Sequence, residues 1–104
     1  FSRVELRTLE RMAVDGSGLV HGGFIFGLAD YAAMIAVNHP YVVLGAAEVR
    51  FSKPVKINET VVAEAQVAPP DGKKHRVTVV VSRSETKVFE GVFTCFVLDQ
   101  HVLG

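Results

Sequence analysis

GLVHGGFIFGLADYAAMIAVNHP, residues 18–40, opens on glycines and runs into an apolar segment with no polar side. The run Phe24–Val37 is 14 residues long and is broken only by Asp30. It is shorter than the roughly 20 residues that span a bilayer, so it predicts a buried helix and no membrane association. Asn38 suits a helix end and Pro40 cannot continue one, so the helix stops there. Upstream, DGSGLVHGG (Asp15–Gly23) carries four glycines in nine positions, which marks a loop with special backbone demands.

Outside this stretch the period is two. Residues 3–8 alternate as a half-buried strand. Val43, Gly45, Ala47, Val49 and Phe51 are expected on one strand face, with Glu48 and Arg50 on the other. Lys53-Pro54 ends that strand. Val61, Ala63, Ala65 and Val67 share a face, as do Val77, Val79 and Val81, with the turn Pro69-Pro70-Asp71-Gly72 between them. Phe89, Gly91, Phe93, Cys95 and Val97 oppose Val88, Glu90, Val92, Thr94, Phe96 and Leu98. The order is strand, buried helix, then four strands joined by turns short enough for antiparallel neighbours. This is an α+β pattern: a curved antiparallel sheet wrapped round one long central helix. A helix apolar on all sides needs cover on all sides, and a second copy of the chain is expected to complete it.

At 104 residues the chain is expected to be one domain, residues 1–104. Phe1 stands where a Met would open a chain, so the numbering is expected to start inside a longer or processed polypeptide. With 49% hydrophobic residues and a mean hydropathy of +0.31 the composition is that of a folded domain. Lys+Arg and Asp+Glu number 11 each, which argues against a nucleic-acid binder. One cysteine, Cys95, excludes a disulfide within the chain and points to a reducing, cytoplasmic setting. It alternates onto an apolar face and reads as core. His39, His75 and His101 show no metal-ligand spacing and read as surface residues, so no metal is expected.

Two features carry chemistry. At Gly22 and Gly23 the first helical N–H groups and the positive end of the helix dipole can meet a carbonyl oxygen that becomes negative. The same glycines would also serve tight packing of helix on sheet. Asp30 is the only charged residue between His21 and Glu48. A carboxylate among Leu28, Ala29, Ala32 and Ala33 is either hydrogen-bonded structure or a general base or nucleophile on a rigid element. His21 reads as a pocket lining or a backbone-bonded side chain, and Asp15 as the start of a turn. Serine-triad and P-loop patterns are absent.

The spacing Asp15…His21-Gly22-Gly23…Asp30 resembles the helix-start motif of the hotdog-fold acyl-CoA thioesterases of the phenylacetate-pathway (PaaI) type. The likeness extends from about Gly18 to Val97, including Val49–Val67. It implies a hotdog fold and an acyl-CoA thioesterase that needs no cofactor. It implies Asp30 as base or nucleophile on the thioester carbon, Gly22 (with Gly23) as the N–H site polarising the carbonyl, and His21 supporting that end of the pocket. Asp15, Gly23, Phe24, Tyr31 and Glu48 would contact substrate. Two positions depart from the family pattern. Asp15 replaces the usual Asn, and Val42–Phe51 lacks the hydroxyl by which some members orient water, Glu48 being its only carboxylate. A non-catalytic acyl-CoA sensor is the alternative; a hydratase is less favoured because Asp15 and His21 are six apart without the Asn-Pro between them. Along one helix Gly22 and Asp30 are separated by roughly 12 Å. One thioester would therefore meet Gly22 of one chain and Asp30 of another, in a homodimer or a dimer of dimers with shared sites.

Overall fold

The computed structural model describes residues 1–13, 16 and 18–98. The elements are β1 (Ser2–Arg7), a 3-10 turn (Glu10–Met12), α1 (Gly22–Val37), β2 (Val42–Phe51), β3 (Thr60–Val67), β4 (Lys74–Arg83) and β5 (Thr86–Val97). The five strands form one antiparallel sheet in the order β1-β3-β4-β5-β2, leaving β1 and β2 as edges.

The helix stops as its sequence predicts. Asn38 takes the left-handed conformation at φ 54°, and its N–H donates to Met34 O at 3.0 Å. One side of α1 (Ile25, Leu28, Ala29, Ala32, Ala33) is buried against the sheet. There it meets Val61, Ala63 and Ala65 of β3, Val77, Val79 and Val81 of β4, and Phe89, Phe93 and Cys95 of β5. Alanines on both surfaces let the helix sit close to the strands. The buried Ser2 Oγ donates to Ala32 O at 2.6 Å, tying β1 to the middle of α1.

Complete burial of the helix is not reached within one chain. Phe24, Tyr31 and Ile35 are 43%, 60% and 42% exposed and form an open apolar stripe along the side facing away from the sheet. The sheet covers one side of a helix, and the described residues supply no second layer.

Two bulges change the alternation expected from sequence. In β2 the register with β5 shifts between Leu44 and Ala46. Val42 and Leu44 therefore pack toward the core, rather than Val43 and Gly45, while Ala47, Val49 and Phe51 keep the inner face opposite Phe93, Gly91 and Phe89. In β5 a shift between Val81 and Ser82 of its partner strand turns Val88 inward beside Phe89, so two successive residues are buried. Cys95 is buried, as expected. His39 is exposed, while His75 is half-buried opposite Cys95. His101 lies outside the described residues. No helix among the described residues is long and apolar enough to cross a membrane.

Candidate functional site

His21 is the N-cap of α1. Its backbone is extended, and its Nδ1 accepts the Gly23 N–H at 2.9 Å. This places the ring proton on Nε2 and gives the first turn a side-chain cap worth roughly 1 kcal/mol. The Gly23 N–H, expected to share in holding a carbonyl, is thus already engaged. The N–H left without a partner at the helix start, among the described residues, is that of Gly22.

Gly22 does not use the left-handed region; in this loop that demand falls on Gly18, at φ +83°. Close approach is what requires glycine at position 22. A Cβ there would lie 3.2 Å from Cε1 of Phe51, at the end of β2. Gly22→Val is expected to push the Phe51 ring aside and crowd the free N–H. Turnover of a thioester should fall about 30-fold, less than the 10²–10³ that deleting an oxyanion donor costs, because the N–H itself remains. Steady-state kinetics with unchanged turnover would remove Gly22 from the site.

Asp30 lies in the half-buried row beside the open stripe. Its Oδ1 is buried and has no hydrogen-bond partner. Burial raises its pKa above the ordinary carboxylate value. The same carboxylate, after burial itself, helps push the Cys95 thiol up to about 11, which places the two groups near each other and keeps Cys95 protonated. A carboxyl held in this way binds its proton more tightly than a solvated surface acid does.

The remaining candidates divide. Phe24 and Tyr31 stand on the open stripe. Glu48 stands apart from Asp30 and Gly22 within one chain. After the β2 bulge the inner positions are Ala47, Val49 and Phe51, so Glu48 projects from the outer sheet face, opposite Val92 and near Arg50, Thr78 and Glu90. Asp15 lies outside the described residues. Among the described residues no group of three His, Cys, Asp or Glu is placed to hold a metal ion.

One part of the site was not anticipated. A cleft of about 210 Å³ opens beside Gly22, lined by Val20, Ile25, Phe51, Val55 and Val88 with Ser52 and Lys53 at its exposed rim. Its outer wall is the loop after β2. Arg83 Nη1 donates to Pro54 O at 2.9 Å and reaches Glu59 Oε1 at 3.2 Å. Val20 N–H donates to Val55 O at 2.7 Å, and the Lys56 N–H donates to Glu59 Oε1 at 2.7 Å. The buried Thr8 hydroxyl accepts from the Glu59 N–H at 2.9 Å, so the loop is pinned from three directions. Arg83, Pro54 and Val20 are far apart in sequence, and no local pattern marks them as one structure.

A layered helix and antiparallel sheet with a glycine-rich helix start define a hotdog-fold protein. Residues 17–90 match the thioesterase superfamily, and the chain belongs to that superfamily. Among solved structures it is similar to protein PH1136 from Pyrococcus horikoshii, at 60% identity and TM-score 0.96, over 98% of this chain and 78% of that one. It shares the fold of the Escherichia coli PaaI protein at 22% identity and TM-score 0.84, over 95% and 73% of the two chains. The same holds for a Thermus thermophilus thioesterase complexed with coenzyme A and Zn, at 16% identity and TM-score 0.83, over 94% and 84%. By sequence it is 52% identical over its whole length to a protein of Aquifex aeolicus named methylthioribose-1-phosphate isomerase, yet spans only 23% of that protein. It is 30% identical over 94 residues to the transcription factor FapR of Caldanaerobacter subterraneus subsp. tengcongensis, covering 90% of this chain and 47% of the factor.

Proposed function

We propose that the chain hydrolyses an acyl-CoA thioester to the free acid and CoA. The observation that carries this reading is the buried, unpartnered Oδ1 of Asp30 on a rigid helix in an apolar setting. The thioester carbonyl oxygen accepts the Gly22 N–H, whose position at the positive end of α1 stabilises the oxyanion. Ionised Asp30 takes a proton from water as its oxygen bonds to the acyl carbon. The tetrahedral intermediate then expels the sulfur, and the proton on Asp30 passes to the departing CoA thiolate. His21 fixes the helix start. Coenzyme A in the Thermus thermophilus relative supports CoA as the carrier.

Gly22 and Asp30 lie eight residues apart on one helix, separated by roughly 12 Å, which is too far for one thioester within one chain. The open stripe of Phe24, Tyr31 and Ile35 and the free edge of β2 support a second copy packing helix to helix, so that each site takes Gly22 from one protomer and Asp30 from its partner. Phe24 and Tyr31 would then border the substrate. In this reading the chain works in the cytoplasm without metal or organic cofactor, as a dimer or a dimer of dimers.

The similarity to a transcription factor favours a second reading: an acyl-CoA-binding domain that senses its ligand without hydrolysing it. A panel of acyl-CoAs assayed for free thiol separates the two. Catalytic thiol release supports hydrolysis. Saturable binding with no release over many ligand lifetimes supports the sensor and removes the enzyme.

A further inference from the structure

Asp30 stands over a defined residue of the sheet, Cys95. At the start of α1, Gly22 lies against Phe51, whose ring packs edge-on on Phe89 near the start of β5 with centroids 5.1 Å apart. One turn on, Phe26 packs against Phe93 with centroids 5.4 Å apart. Helix and strand therefore advance in the same direction. Four helical residues rise about 6 Å and two strand residues about 7 Å, so the step from Phe26 to Asp30 matches the step from Phe93 to Cys95. Phe26 and Met34, one turn to either side of Asp30, are half-buried against the same core. The Asp30 carboxyl thus has the fully buried Cys95 as its floor. The push that the Asp30 charge gives the Cys95 thiol agrees with this placement.

A cysteine in that position gives Asp30 little to bind. A thiol is a weak donor, and this one is aimed at Phe93 O, 4.0 Å away. Oδ1 of Asp30 stays buried and without a partner. The cross-strand neighbours of Cys95 are Leu44 on β2 and His75 on β4. Leu44 has no donor. His75 is half-buried on the same sheet face and makes no hydrogen bond or ion pair with Asp30. From β1 and β3 the helix meets Val4, Leu6, Ala63 and Ala65, none of them titratable. Arg83, at the far end of β4, is engaged with Pro54 O and Glu59. We propose that Cys95 is a positioning residue for Asp30: it seats the carboxyl on a neutral floor and withholds the hydrogen bond that would turn the carboxylate into a weaker base. The assignment rests on the reading of Asp30 as the base. A hydroxyl at position 95 reverses the effect, because a hydrogen bond to the charged form stabilises that form; a methyl group does not.

The test compares Cys95→Ser and Cys95→Ala with wild type by two readouts. One is carbon NMR titration of the Asp30 carboxyl, identified by its loss in Asp30→Asn. The other is the pH profile of kcat/KM for thiol release from acyl-CoA. Cys95→Ser is expected to move the Asp30 titration down by about one pH unit, the low end for a hydrogen bond to a charged group. The rise of kcat/KM should move to lower pH by the same amount and reach a lower plateau, since the base is weaker. Cys95→Ala should melt earlier and titrate where wild type does. A side chain that only fills space predicts lost stability in both variants and a titration moved in neither. Should Cys95→Ser fail to fold, Cys95→Thr carries the same hydroxyl with a methyl in the thiol's place. An unmoved titration in the hydroxyl variant, or equal shifts in Cys95→Ser and Cys95→Ala, overturns the assignment. So does a shift of the same size in His75→Gln with Cys95 in place. A titration that moves in the hydroxyl variant alone supports the assignment even where no thiol is released or the kcat/KM profile stays fixed; those two results remove hydrolysis and Asp30 as its base, respectively.

Discussion

Asp30→Asn is expected to lower kcat at least ~100-fold, the scale of losing a positioned general base, while leaving the fold as stable or more stable at neutral pH. The two halves of this expectation come from one fact. Burial raises the Asp30 pKa above its ordinary value, so the folded state prefers the protonated carboxyl. The stability that proton contributes is fully present below the unfolded-state pKa. It is lost as pH rises through the higher folded-state value. At pH 7 wild type holds a buried, unpartnered carboxylate oxygen. Asn has no charge to lose, so Tm of the variant should equal or exceed that of wild type at pH 7.5, with the gap closing toward pH 4. Activity has the opposite sign: kcat/KM of wild type should rise with pH through the raised pKa, because the base acts ionised. Thermal scans at both pH values and thiol-release kinetics check this. Near wild-type turnover in the variant would sink the catalytic role of Asp30.

Mixing two strongly impaired variants should restore activity to about a quarter of wild type if the site spans two protomers. Gly22→Val damages the N–H side of the site and Asp30→Asn the carboxylate side. Unfolded together and refolded, about half of randomly paired dimers contain one chain of each kind, and each such dimer has one intact site of two. If Gly22 and Asp30 served the same site from one chain, every site in the mixture would carry a defect. Activity no higher than the mean of the two parents would therefore rule out the shared site. In the shared-site reading the exposed stripe of Phe24, Tyr31 and Ile35 is covered by the second protomer, and the solution mass is expected to be that of a dimer or larger.

Alternation was a sound guide wherever a strand paired without interruption. Val61, Ala63 and Ala65, like Val77, Val79 and Val81, lie fully buried on the face their spacing implies. It misled at Val43 and Gly45 and at Val88, because a bulge exists only relative to the strand opposite, and the register with that strand is absent from the local pattern. Beyond the bulge the alternation holds again: Glu48 and Arg50 take the face opposite Ala47, Val49 and Phe51, as their spacing implies.

The helix, its end at Asn38, the isolation of Asp30 and the glycines at positions 22 and 23 were all legible in the chain, since each is a local property of residue type and spacing. The partner of the Gly23 N–H was not, nor the orphaned oxygen of Asp30, the Phe51 ring over Gly22, or the loop that Arg83 pins. These depend on which atoms meet across tens of residues. Periodicity records that a surface is apolar or that a carboxylate stands alone; only packing determines what covers that surface and whether the carboxylate finds a partner.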